Sequence, residues 1–231
     1  ADETASNTIG ETEHKAILKN TILHLWDFSD EKQAAADSGA MDVPVLSGSA
    51  EYSAEHKNVR LTSESGAGLS VNLSEPAAAQ SSENIINVEF DVNFGKINKQ
   101  YFGYSITDNA GNKIIDCNFS PYNSSSAETD GYLKIGGVSV IEAADESSVN
   151  NQIVSCISAV NADGMTAETT HFRNEIDLAG GTATVYIAGG SSSGSFTGTF
   201  DTEVFSNIAG FETSLTKMST SRYTYFDNLK I

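Results

Sequence analysis

Apolar residues along this chain come in short runs, and inside the runs they alternate with polar ones. In Asn87-Val88-Glu89-Phe90-Asp91-Val92-Asn93-Phe94, the residues Val88, Phe90, Val92 and Phe94 fall on one side of an extended strand, and Glu89, Asp91 and Asn93 on the other. Over His171 to Leu178 the same period sets Phe172, Ile176 and Leu178 against His171, Arg173, Glu175 and Asp177. In the next run Ala183, Val185 and Ile187 oppose Thr184 and Tyr186. Such strands have one dry face and one wet face, as in an antiparallel sheet packed on one side only. Comparable runs cover residues 22–28, 43–46, 59–61, 69–73, 101–107, 113–119, 132–141, 153–160, 195–200, 208–215 and 223–231, nearly all separated by Gly, Asn, Asp or Ser.

This spacing predicts an all-β fold, a two-sheet antiparallel jelly-roll sandwich with little or no helix. The only helical candidate is the Ala-rich piece Asp30 to Asp37, expected to make a turn or two within a loop. Ala179-Gly180-Gly181 and Asp108-Asn109-Ala110-Gly111-Asn112 read as hairpin turns in which Gly or Asn supplies positive φ. The second has a faint calcium-loop look, but it lacks acidic ligands at alternate positions and the closing Glu, so an ordinary turn is expected.

At 231 residues, the chain suits one large sandwich, and residues 1–20, polar and without apolar period, read as an arm ahead of a domain spanning 21–231. Thirteen Lys and Arg against thirty-one Asp and Glu give a formal charge of −18, which repels phosphate backbones and anionic lipid. Nucleic acid and membrane insertion are therefore not expected, and a neutral ligand fits better than a polyanion. No apolar run reaches the length of a membrane span. The overall pattern suggests a secreted or cell-surface protein. Cys117 and Cys156 leave two possibilities open, one disulfide or two buried thiols.

Leu25-Trp26-Asp27-Phe28, the hairpin from Phe90 to Ile115, the pair Glu175 to Tyr186 and the closing Tyr225-Phe226-Asp227-Asn228-Leu229-Lys230-Ile231 resemble jelly-roll carbohydrate-binding modules. That group includes concanavalin- and laminin-G-like sandwiches and the surface glycan-binding, including starch-binding, modules of gut bacteria. The resemblance implies a last strand paired beside the first, and one structural calcium. The ion would be held by an acidic side chain just after the first-strand Phe and by the Asp of the last strand. Asp227 supplies the second position; Ser29 stands at the first, with Asp27 and Asp30 as substitutes. It also implies a non-catalytic, monomeric module within a larger multidomain parent.

Sandwich glycosidases resemble this fold and carry Glu-x-Asp-x-x-Glu or Glu-x-Asp-x-Glu on one strand. Glu89-Phe90-Asp91 and Glu175-Ile176-Asp177 both lack the third carboxylate, so retaining hydrolysis has no evident acid/base pair. Binding needs only an aromatic plate for the sugar's C–H face and planar polar groups for its hydroxyls. The candidates are Tyr186, His171, Arg173, Asp91 and Asn93 on the wet strand faces, Tyr122 and Tyr132 around the polar stretch from Ser120, and the lone Trp26. Trp26 shares the parity of Phe28 and so equally reads as core. Among neutral glycans, a Tyr-rich, Trp-poor chain favours an α-glucan such as starch over a flat crystalline surface. The competing readings are an adhesin or scaffold domain without a sugar site, and a sandwich glycosidase or lyase.

Overall fold

The computed structural model describes residues 23–29, 40–62, 66–78, 85–95, 100–121, 131–142, 146–159, 161, 164–217 and 223–231. Fifteen strands in this set form two antiparallel sheets. The larger sheet runs β13 (Ser192–Thr199), β12 (Thr182–Gly189), β11 (Thr170–Asp177), β6 (Ile85–Asn93), β15 (Tyr223–Lys230), β4 (Asn58–Thr62) and β3 (Ala50–Ser53), with β1 (Leu25–Trp26) also on β15. The smaller runs β10 (Val138–Ser139), β9 (Tyr132–Ile135), β8 (Lys113–Phe119), β7 (Gln100–Thr107), β14 (Asn207–Lys217), β5 (Ala67–Ala78) and β2 (Val45–Gly48). The jelly-roll sandwich expected from alternation is the fold observed. The first and last strands pair as the resemblance implied, Leu25 opposite Lys230 and Trp26 opposite Leu229.

The dry faces meet in an aromatic core. Phe90 stacks on Phe172 at 4.8 Å and on Phe226 at 5.3 Å within its own sheet, and meets Tyr104 at 4.9 Å and Phe211 at 5.2 Å from the other. Burying such side chains is what holds two sheets together. One polar group shares this core: Asn174, on the same parity as Phe172 and Ile176, is fully buried. Its Oδ1 accepts from the Tyr104 hydroxyl at 2.9 Å and its Nδ2 donates to the Val88 carbonyl at 2.9 Å.

Both turns behave as expected. Asp177 Oδ1 accepts from the amides of Ala179 and Gly180, and Gly181 takes φ +65°. Asp108 accepts from the amides of Ala110 and Asn112 and from the Asn112 side chain. Its carboxylate is thus spent on closing its own loop, which accounts for the cation-loop look.

One expectation needs correction, and one open alternative is decided. Residues 153–160 were expected to be a strand, but Ile153 and Val154 close a helix, α1 (Glu146–Val154), with Ile153 fully buried, and residues 155–159 are turn and irregular backbone. The apolar positions of α1 pack down on the sandwich with helical rather than two-residue spacing, and a short apolar run does not distinguish the two. Cys117 and Cys156 are both buried free thiols, and burial pushes the Cys117 pKa far up, the ordinary condition of a core thiol. The arm 1–20, the helical candidate Asp30–Asp37, Tyr122 and Asp30 lie outside the described residues.

Candidate functional site

On the outer face of the eight-stranded sheet, strand register lines up the polar residues that alternate with the core. Asp227 stands opposite Asp91, and Asp91 opposite His171. One rung away, Tyr225 stands opposite Asn93 on one side and Arg60 on the other. At the last strand the ladder is interrupted between Asp227 and Lys230, and Asn228 takes φ +52°. Asn is among the few residues that tolerate this left-handed conformation. The bulge brings the Asn228 side chain across to Asp91, so that two successive residues of one strand serve the same face.

A cleft of about 180 Å³ opens here, lined by Asn58, Asp91, Asn93, Thr169, Tyr225, Asp227 and Asn228. Asp91 is its fixed point. Its Oδ1 lies 2.7 Å from His171 Nδ1 and its Oδ2 accepts from Asn228 Nδ2 at 2.8 Å. Burial pushes its pKa up, but the bonds from His171 and Asn228 outweigh this and hold the carboxyl below its ordinary range. Asp227 goes the other way: burial, then the charges of Asp91 and Asp27, raise it to about 6 against a bond from the Asn228 amide.

The oxygens of the two flanking amides are unspent. Asn58 Oδ1 and Asn93 Oδ1 are buried with no hydrogen-bond donor, although Asn93 Nδ2 donates to the Thr166 carbonyl at 3.1 Å. Buried acceptors without donors are costly and uncommon. The Tyr225 ring closes one side, set against His56 at 4.9 Å.

The structure therefore brings together three of the expected residues, Asp91, Asn93 and His171, with His171 orienting Asp91 from outside the cleft. Arg173 and Tyr186 lie on the same face but form a separate, self-satisfied cluster. The guanidinium sits 4.2 Å over the Tyr186 ring and pairs with Glu175 at 2.6 Å. One face of Tyr186 is thus covered by Arg173. Trp26, 7% exposed, belongs to the core and stacks on His24 at 5.3 Å, so it presents no plate to solvent. Tyr132 lies on the opposite sheet. Asn58, Thr169, Tyr225 and Asn228 were not expected in a site. Only the fold brings Asn58 beside Tyr225 on the last strand.

For the calcium implied by the resemblance, Asp227 and Asp27 are near enough for the Asp27 charge to raise the Asp227 pKa. Asp27 Oδ1, however, accepts from the Ser29 amide at 3.0 Å, and both oxygens of Asp91 are engaged. Among the described residues no group of three or more His, Cys, Asp or Glu is placed to hold a metal ion, and calcium wants six to eight oxygens. The described side chains do not complete such a set.

The raised Asp227 pKa has a consequence for stability. A carboxyl whose folded pKa exceeds its unfolded value contributes stability below the unfolded value of 3.8 and loses it as pH rises through about 6. Asp227→Asn is thus expected to raise the melting temperature at neutral pH, by a gain of roughly 1–2 kcal/mol after allowing for solvent screening of a half-buried group. The gain should shrink in acid and vanish near the ordinary carboxylate pKa. Thermal melts of both proteins across this range check it; a gain independent of pH would show that charge is not the cause.

The antiparallel two-sheet sandwich is similar in fold to solved lectin-like sandwiches. A Bacillus subtilis protein described as having a galectin-like fold matches with a TM-score of 0.52 at 9% identity, over 91% of this chain and 95% of its own. Lectin I-B4 from Griffonia simplicifolia, in its metal-free form, matches at a TM-score of 0.48 and 12% identity over 89% and 97% of the two chains. A Bauhinia forficata lectin in complex with GalNAc matches at 0.43 and 10% over 84% and 93%. At these identities the likeness is one of fold. No protein-family model and no curated protein matches the sequence. No helix among the described residues is long and apolar enough to cross a membrane.

Proposed function

We propose that this domain binds carbohydrate, without cutting it, in the cleft between Asn58, Asn93, Tyr225 and Asp227. The observation that carries the reading is the pair of buried, donorless oxygens, Asn58 Oδ1 and Asn93 Oδ1. Sugar hydroxyls are donors that would satisfy both, and the Tyr225 ring offers an apolar edge to a C–H face. A cleft rich in acceptors, with the Asp227 carboxylate beside it, disfavours uronic acids and sulfated sugars. A neutral polysaccharide is therefore the proposed ligand, with α-glucan the first to try. The proposed setting is a secreted or surface-attached bacterial protein in which this domain is one monomeric module, its weak single-site affinity strengthened by neighbours.

Asn58→Ala separates binding from folding. The replaced oxygen has no partner, so the fold loses no hydrogen bond at that atom, whereas a bound sugar loses one. The variant is expected to melt no lower than the parent and to bind about tenfold more weakly. Affinity electrophoresis in starch, xylan, glucomannan and pectin finds the ligand, and calorimetry with the matching oligosaccharide measures the loss. Unchanged affinity in Asn58→Ala and in Tyr225→Ala would displace the site. No retardation in any gel would favour the adhesin or scaffold reading, and release of reducing sugar would restore the enzyme.

A further inference from the structure

The seven-stranded sheet has a cleft of its own, and the site above makes no use of it. Register sets Tyr132 opposite Asn118, Asn118 opposite Gly103 and Gly103 opposite Ser214. The neighbouring rung sets Lys134 opposite Asp116, Asp116 opposite Ser105 and Ser105 opposite Glu212. Between these rungs lies a space of about 180 Å³. Its floor is Gly103. A Cβ built there would come 3.2 Å from Ser214 Oγ and 3.3 Å from Asn118 Oδ1, so polar tips lean into the room that the missing side chain leaves.

Its wall is the half-buried Tyr132 ring, with Lys134 Nζ 5.0 Å from the ring centre. Along the side, Glu212 accepts from Ser105 Oγ at 2.8 Å, and Lys113 pairs with Asp116 at 3.1 Å and lies 4.0 Å from Glu212.

The charge here is locally balanced. In a chain of net −18, the cleft and its border hold two lysines, Lys113 and Lys134, against two carboxylates, Asp116 and Glu212. A locally balanced cleft neither attracts nor repels ions. What it offers is an aromatic ring, an amide, two hydroxyls and charged groups fixed by pairing, over a floor low enough for a ligand ring to approach the backbone. Those are the groups that hold a neutral sugar ring by one face and its hydroxyls by the edge.

We infer that this cleft is a second site for a neutral oligosaccharide, making the domain bivalent. Because the two sheets pack core to core, about 10 Å apart, their outer faces look in opposite directions. One domain would then bridge two polysaccharide strands. Binding in this cleft does not depend on the Asn58–Asn93 cleft; the bivalence rests on that reading.

The test titrates the whole chain with maltoheptaose, xylohexaose and mannohexaose by calorimetry, in the parent and in two sets of variants. One set disables this cleft, Tyr132→Ala and, independently, Ser214→Leu. Ser214 is exposed and its replacement covers the floor without touching the core. The other set is Asn58→Ala with Tyr225→Ala. The expected result is two binding events per parent chain, one in each set and none when the sets are combined, with parent-like melting curves in Ser214→Leu. The parent should also clump a soluble polysaccharide that either set leaves clear. A single event, lost only with Asn58 and Tyr225, would overturn the second site and leave the first. A single event, lost with Tyr132 and Ser214, would support this cleft and overturn the first. No binding of any of the three sugars would overturn both.

Discussion

Phe90→Ala is expected to cost about 3–5 kcal/mol, a large fraction of the stability of a domain this size. Phe90 is fully buried and is the ring on which both sheets converge, touching Phe172 and Phe226 on its own side and Tyr104 and Phe211 on the other. Truncation opens a cavity at the centre of the sandwich, and strands held in two ladders have little freedom to collapse into it. Urea unfolding of Phe90→Ala and Phe90→Leu should show the larger loss for Ala, with Leu recovering part by refilling the space. Equal losses would mean that ring stacking outweighs volume.

The second large effect is expected at Asn174. Replacing it by Ala leaves the Tyr104 hydroxyl without its acceptor and takes a donor from the Val88 carbonyl, both in the dry interior. A loss of about 2–4 kcal/mol follows from stranding buried polar groups. Burial raises the Tyr104 pKa well above its ordinary value, so the hydroxyl remains a donor into alkaline solution. Tyr104→Phe alone should also destabilise, by leaving the Asn174 oxygen unpaired. Combining Tyr104→Phe with Asn174→Leu should cost less than the sum of the two single changes, because the double variant strands neither member of the pair. Strict additivity in a denaturation cycle would show that the two side chains are not coupled.

These two positions also mark how far the sequence could be read. Phe90 was legible, because strict alternation from Val88 to Phe94 leaves no other way to bury four apolar side chains. Asn174 was not. Its parity with Phe172 and Ile176 points inward, but whether a buried amide is tolerated depends on a hydroxyl 70 residues away in the chain. The candidate site divides along the same line. Asp91, Asn93 and His171 were visible as wet-face residues of strands with clear dry faces. Tyr225 and Asn58 join them only because β15 runs between β6 and β4, a neighbour relation that alternation within single strands does not encode. Tyr186 was visible too, but not the Arg173 guanidinium lying over it, since cross-strand pairing depends on register. Helix α1 was missed because Glu146 to Gln152 carry a single apolar residue, Val149, so only its last two positions fell in an apolar run.

The position of β15 has a consequence for how the molecule comes into being. It is the inner strand on which β6, β4 and β1 all pair, yet it is made after every one of them. Until residues 223–231 leave the ribosome, the larger sheet exists as two halves with open edges, and Phe90 and Phe172 lack the Phe226 ring that completes their stack. Closure is then a long-range event, of the kind that makes sheet proteins fold slowly and leaves them exposed to mispairing in the interval. A nascent chain stalled before Tyr223 should therefore be protease-sensitive across β6 and β11, becoming resistant in one step once the last strand is free to insert.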